Sequence, residues 1–359
     1  MEKPQITFGL IVLNGEPFIR YNLRALYPFA HQIIVVEGAC PGSKEVATSD
    51  GHSVDGTLKT LRDFQATEDT ENKVLVVTAE DDGFPNGFWP EKTEMSQAYA
   101  KRATGNYLWQ VDVDEFYKPE DMKRVIEMLE HDPGIAAVTF RTLTFWGGLD
   151  YVVDSVSLRK MIRDVHRLFS WKVGHQYVTH RPPTVVDEKG RNLRSLKWIS
   201  AEEMTRAGIF MYHYPFLFPK QVGEKCSYYY NSTWGGKELS SLNWAKNSYF
   251  EMRRPFRVYY NNSEISWLEC LKTEHPPQVV NMVCAVQTEK FPGIILRSNA
   301  DVEYLLSTFR YRAVRRLLKC FVMAYAILFK IKLAVRRILV DTAVWPWIQR
   351  FRRLFKEFV

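Results

Sequence analysis

Residues 107–116 read Tyr-Leu-Trp-Gln-Val-Asp-Val-Asp-Glu-Phe, a run of aromatic and β-branched residues that passes directly into three carboxylates. The apolar part has the composition of a buried strand. Acids at the end of such a strand are costly to desolvate unless a cation or a partner compensates them, and a divalent metal is an economical compensation. Working outward, Glu91–Ala103 (EKTEMSQAYAKRA) reads as a helix and Lys73–Ala79 (KVLVVTA) as a strand. Before these, Gln32–Val36 (QIIVV) is a strand, Pro17–Tyr27 a helix stopped by Pro28, and Ile6–Leu13 the first strand. Strands alternating with helices predict a mostly parallel sheet covered on both faces, with ligands at the carboxyl ends of its strands. Acids follow three of those ends: Glu37, then Glu80-Asp81-Asp82, then Asp112-Val113-Asp114-Glu115.

In D-x-D the two-residue period of an extended backbone turns Asp112 and Asp114 to one side. One can then reach a ribose hydroxyl while the other binds a metal that carries a diphosphate, and magnesium or manganese suits such oxygen ligands. A bare D-x-D also occurs by chance at solvated strand ends. Asp55-Gly56-Thr57 opens the helical run LKTLRDF, where Ser53 or Asp55 can cap the helix. Residues 81–90 (DDGFPNGFWP) form a Gly/Pro-rich loop before a helix start that favours an anionic ligand. No G-x-G-x-x-G follows the first strand and no G-x-x-x-x-G-K-[ST] occurs, which disfavours Rossmann dinucleotide enzymes and P-loop NTPases.

The order ITFGLIVLNGEPFI, IIVVEGA, S-x-D-G-T at 53–57 and A-x-x-A-T-G-N-Y-L-W-Q-V-D-V-D-E-F at 100–116 resembles the family-two glycosyltransferases of the GT-A fold. The resemblance covers about the first 120 residues, with the motifs in the right order. It implies a GT-A-like α/β fold and a nucleotide-sugar donor bound through Glu37, Asp55, Asp81, Lys92 and Asp112. It also implies a Mn2+ or Mg2+ ion held by Asp114 and Asp112. Glu37 stands where the family usually has an Asp for the nucleotide base, and a long insertion, Ala39 to His52, separates it from the D-G-T. Downstream, His166-Arg167-Leu168-Phe169, Gly174, Tyr177 and His180 look like the family's R-L-F…G…H segment, and GIFMYHYPF at 208–216 like its later His-Tyr segment. On that likeness His213 is the candidate to complete the metal shell, because neutral imidazole is a competent manganese ligand. A histidine among tyrosines is also a common satisfied core group.

An inverting reaction needs a carboxylate to deprotonate the acceptor hydroxyl. Asp187 and Glu188, after the strand-like TVV, are candidates, and Asp150 and Asp154 compete with them. Lys220 and Lys225 are suited either to a diphosphate or to solvent. The aromatic stretches WGGLDYVV, SYYYNSTWGG and FRVYYNN read equally as sugar-stacking faces and as packed core.

The chain has 359 residues, 46% hydrophobic and 25% charged, the values of a globular protein. Its net charge is +7, yet residues 309–359 hold 13 Lys/Arg against only Asp341 and Glu357, so the remainder is net acidic. Basic charge confined to a tail argues against a nucleic-acid-binding face. The tail interleaves Arg and Lys with apolar residues, and its longest uncharged run, Cys320–Phe329, is too short to span a bilayer. With VWPWIQRFRRLFKEFV at 344–359 it has the composition of interfacial helices on an anionic membrane, or of helices packed on the protein's own body.

These readings predict three parts: residues 1–130 as the nucleotide-sugar-binding half of a GT-A domain, 131–308 as its acceptor-side half, and 309–359 as basic amphipathic membrane-associating helices. The expected activity is a metal-dependent, inverting hexosyltransferase. Its acceptor would be a cell-envelope, polysaccharide or lipid-linked glycan at the inner membrane face. A sugar nucleotidylyltransferase would want a Gly-rich basic loop after the first strand, where Leu-Asn-Gly-Glu-Pro stands. A non-catalytic membrane-surface protein would have no use for Asp112, Asp114 and Glu115.

Overall fold

The structure, a computed structural model, describes residues 3–155, 164–231, 239–260 and 265–340. The alternation read from the first third is present. Strands β1 (Ile6–Val12), β2 (Gln32–Glu37), β3 (Val74–Val77) and β4 (Tyr107–Gln110) are separated by helices Phe18–Leu26, Thr57–Thr67 and Lys92–Ala100. All are parallel, in the order β3-β2-β1-β4. In β2, Ile33 and Val35 join one core with the helices Phe18–Leu26 and Thr57–Thr67, while Ile34 and Val36 join another with Met95, Ala98 and Tyr99. Burial on both faces explains why QIIVV reads as a continuous apolar run rather than an alternating one.

Strands β5 (Glu115–Phe116), β6 (Ala137–Phe140), β7 (Thr142–Trp146), β8 (Tyr151–Ser155) and β9 (Val165–Ser170) follow. The later ones are β10 (Gln176–Thr179), β11 (Thr184–Val186), β12 (Trp198–Ile199), β13 (Met211–Phe216) and β14 (Ser266–Cys270). Antiparallel β9 pairs with β4 and extends the first sheet through β6 to β12. Only Arg141 separates β6 from β7, where the chain crosses into a second sheet of order β14-β8-β7-β13-β5. The architecture is mixed α/β with helix-covered sheets, as the resemblance implied.

Two expectations change here. The chain leaves β4 at Gln110, and Asp112–Glu115 closes a turn through Glu115 N–H donating to the Asp112 carbonyl at 2.9 Å, so the D-x-D does not lie on extended backbone. The boundary drawn at 308 also cuts through packing: Tyr311 is buried against Phe256, and its hydroxyl accepts a hydrogen bond from Leu268 N–H at 2.9 Å. Its helix, Phe309–Val340, is continuous, and no described helix is long and apolar enough to cross a membrane. The segment 344–359 lies outside the described residues.

Candidate active site

The chain leaves β1 toward β2 on one side and reaches β4 on the other, which makes the carboxyl ends of β1 and β4 a topological switch point. A cleft of about 1200 Å³ opens there, with Leu13 and Asn14 after β1 and Asp112 and Asp114 after β4 in its wall. Its far side comes from the second sheet and the helix Pro219–Asn231, through His213, Gln221, Glu224 and Lys225.

The two D-x-D carboxylates face different partners. Asp112 Oδ2 accepts from Arg167 at 3.0 Å and from Arg181 at 2.6 Å. Burial works to raise the Asp112 pKa, but Arg167 and then Arg181 outweigh it and hold the carboxyl well below its usual range. Arg167 also grips Glu115, whose other oxygen accepts the Asp112 N–H at 3.0 Å. Burial leaves Glu115 raised despite that arginine. Arg167 is 4% exposed, so one buried guanidinium fixes the turn from behind. It comes from the R-L-F segment on β9, beside β4. Asp114 instead meets Lys225 Nζ at 3.1 Å and His213 Nε2 at 3.4 Å. Burial opposes its ionisation, yet Lys225 and then His213 keep it ionised far below the usual carboxylate range. His213 arrives because β13 pairs antiparallel with β5, in register with Glu115.

Lys92, at the start of its helix, lines the same wall and lies over the Tyr228 ring at 4.3 Å. Burial, reinforced by Arg181, pushes its ammonium down to about 8. Lys92, Arg181 and Lys225 therefore bring positive charge to a wall that also holds the two acids.

Asp55 lines the cleft too, although its carboxylate first serves the local fold. It accepts from Thr57 N–H at 3.0 Å and from Glu16 N–H at 2.9 Å, tying the second helix to the loop after β1. The insertion after β2 folds back over this end of the sheet at a crossing of Gly51 (φ +83°) and Gly87 (φ +71°). A Cβ on Gly51 would stand 2.0 Å from the Gly87 carbonyl oxygen, so no side chain fits there.

Other expected residues lie elsewhere. Glu37 is fully buried and outside the cleft wall, with Oε1 accepting from Ser53 N–H at 2.8 Å and Oε2 on His52 Nδ1 at 2.8 Å. It braces the insertion instead of facing a nucleotide base. Asp81 accepts from Thr78 N–H at 2.9 Å and is likewise outside the wall. Asp187 caps a turn after β11, accepting from the N–H groups of Lys189 at 2.9 Å and Arg191 at 2.8 Å. Glu188 packs on Gly174, Asp150 is exposed and Asp154 lies on β8, and none of the four candidate bases lines the cleft. Carboxylates that do line it, and that the sequence did not single out, are Glu16, Asp164 and Glu224. Burial raises the pKa of each, opposed at Asp164 by Arg141 and at Glu224 by Lys220. Of the aromatic stretches, Trp146 and Tyr151 are core, whereas Tyr228, Tyr259 and Tyr260 line the cleft.

No family model matches the chain, and no curated protein matches it. Among solved structures it is similar to glucosyl-3-phosphoglycerate synthase from Mycobacterium tuberculosis in complex with Mn2+, uridine diphosphate and phosphoglyceric acid. That match has 18% identity and a TM-score of 0.28 over 39% of this chain and 43% of that one. The same enzyme with Mn2+ and UDP-glucose matches at 18% identity and a TM-score of 0.28, over 40% of this chain and 44% of that one. The chain thus spans less than half the length of these neighbours.

Proposed function

We propose that this protein is a metal-dependent glycosyltransferase of the GT-A type. It would move a sugar, with inversion, from a nucleotide-sugar donor to a hydroxyl of a cell-envelope, polysaccharide or lipid-linked acceptor. The observation that carries this reading is the pair Asp112 and Asp114 in the cleft at the β1/β4 switch point, facing Lys92, Arg181 and Lys225.

Asp114 Oδ1 and His213 Nε2, 3.4 Å apart, are close enough to share one cation, and carboxylate with imidazole suits manganese or magnesium. Among the described residues no three His, Cys, Asp or Glu side chains converge. That fits an ion bound through one or two protein groups and completed by substrate phosphates. Such an ion would neutralise the diphosphate as it leaves. Lys92, Arg181 and Lys225 stabilise the same developing charge from the cleft wall. Asp112, its Oδ2 held by two arginines, is left to a ribose hydroxyl. The acceptor proton requires a cleft carboxylate with a raised pKa; Glu16 is engaged by Thr60 and Glu115 by Arg167, which leaves Asp164 and Glu224 as the candidates.

Calorimetry with a panel of nucleoside diphosphates tests the reading. At least about tenfold tighter binding is expected with Mn2+ than with chelator, because the ion links the ligand to Asp114. Equal affinity in both would remove the metal-bridged diphosphate. Comparing D164N with E224Q then separates the bases: the true one loses kcat by about 10²-fold or more while nucleotide affinity is kept.

A further inference from the structure

We propose that the outward face of the first turns of the helix Phe309–Val340, residues 309–324, docks on an anionic lipid surface. Its inner face is occupied. Tyr311 stacks on Phe256 with centroids 4.9 Å apart, Val322 is buried beside Trp267, and Glu269 ties down Arg315 at 3.2 Å and Lys319 at 2.6 Å. These contacts fix the first turns on β14 and set which side faces out. That side carries Phe309, Ala313, Leu317 and Phe321 at intervals of four, one stripe of a helix. Phe309 is 80% exposed, Leu317 69% and Phe321 68%. Exposed Arg310, Arg312 and Arg316 accompany the stripe, and residues 309–340 contain no Asp or Glu.

Large apolar side chains held out in water beside cations that make no ion pair among the described residues fit a surface that is apolar just below a layer of negative charge, the chemistry of anionic headgroups over acyl chains. Charge complementarity selects a negative partner, and the i, i+4 apolar stripe suits a helix lying in the interface plane. The same packing joins this helix to the cleft, since Phe256 opens the segment whose Tyr259 and Tyr260 line it.

The test uses the full chain and two sets of vesicles, phosphatidylcholine alone and phosphatidylcholine with phosphatidylglycerol. Pelleting is expected with the anionic vesicles only, weakened but not abolished by salt. The double variants L317E/F321E and R310E/R316E should each lower the partition coefficient about tenfold or more. Their melting temperatures and nucleoside diphosphate affinities should stay at the unmodified values, because the altered side chains point away from the body. Equal pelleting with both vesicle types, or unchanged partitioning of both variants, overturns the proposal. Self-association in solution that L317E/F321E abolishes, without vesicle binding, assigns the face to a second copy and also overturns it. Vesicle binding without nucleotide binding would leave this inference standing while removing the glycosyltransferase reading.

Discussion

Among the acidic clusters that follow apolar strands in this chain, Asp112-Val113-Asp114-Glu115 after β4 and Asp187-Glu188 after β11 meet different fates. Strand β4 lies inside the seven-stranded sheet between β1 and β9, so its end opens into the crevice where the sheet changes direction. Strand β11 belongs to a two-stranded ribbon, and its acids are used by their own turn. Of these two clusters, the one after the interior strand faces the cleft and the one after the ribbon strand serves its own turn. The largest expected effect follows directly. D114N should lower turnover by at least about 10³-fold, since a neutral amide of the same shape loses the charge that holds a metal. D187N should turn over within about twofold of the unmodified protein, its role being confined to a turn. Steady-state kinetics on the two variants breaks the comparison if they fall together.

The comparison also shows what the sequence made legible. The four strands and their mostly parallel arrangement could be read because buried β-branched runs alternate with helical patterns. D-x-D was visible as chemistry, although its turn was not, because that turn depends on Arg167 from a strand some fifty residues later. Glu37 was misplaced because a sequence shows that an acid ends β2 but not that Ser53 and His52, folded back by the insertion, occupy both its oxygens. Asp164 and Glu224 gave no signal, since neither stands in a motif and they reach the cleft only through the fold, Asp164 just before β9 and Glu224 on the helix Pro219–Asn231. The Thr308 boundary was drawn from a change of charge, while Tyr311 packs by its ring.

Next in size is the clamp. Removing Arg167 as R167M leaves Asp112 and Glu115 buried without their shared cation, and breaking such a network costs about 3–5 kcal/mol. Arg191, which pairs with Asp187 in the ribbon, is 55% exposed, so R191M should stay within about 0.5 kcal/mol of the unmodified protein. Urea denaturation of both variants sharpens the contrast, and a comparable loss in each would show that the ribbon's acids carry more of the fold than their position suggests.

The smallest effect concerns Lys92, whose ammonium burial pushes down to about 8. The groups that bear on it are Arg181 and Lys225, which disfavour its charge, and Asp112 and Cys40, which favour it. Between pH 7 and 9 two of these neighbours hold their states: burial pushes the Cys40 thiol up to about 11, and Asp112 is ionised throughout. The folded value of Lys92 lies below the ordinary 10.5, so the unfolded chain binds the proton more tightly, and above pH 8 deprotonation in the fold removes the cost of burying the charge. Stability attributable to Lys92 thus rises with pH up to the ordinary lysine value. Affinity for a diphosphate moves the opposite way, because only the ammonium attracts the anion. With Mg2+ present, nucleoside diphosphate binding should weaken by up to about tenfold from pH 7 to 9. K92M should bind more weakly at pH 7 and lose that slope. A slope that survives K92M would place the titrating cation elsewhere on the wall, and a flat profile in the unmodified protein would separate Lys92 from the anion altogether.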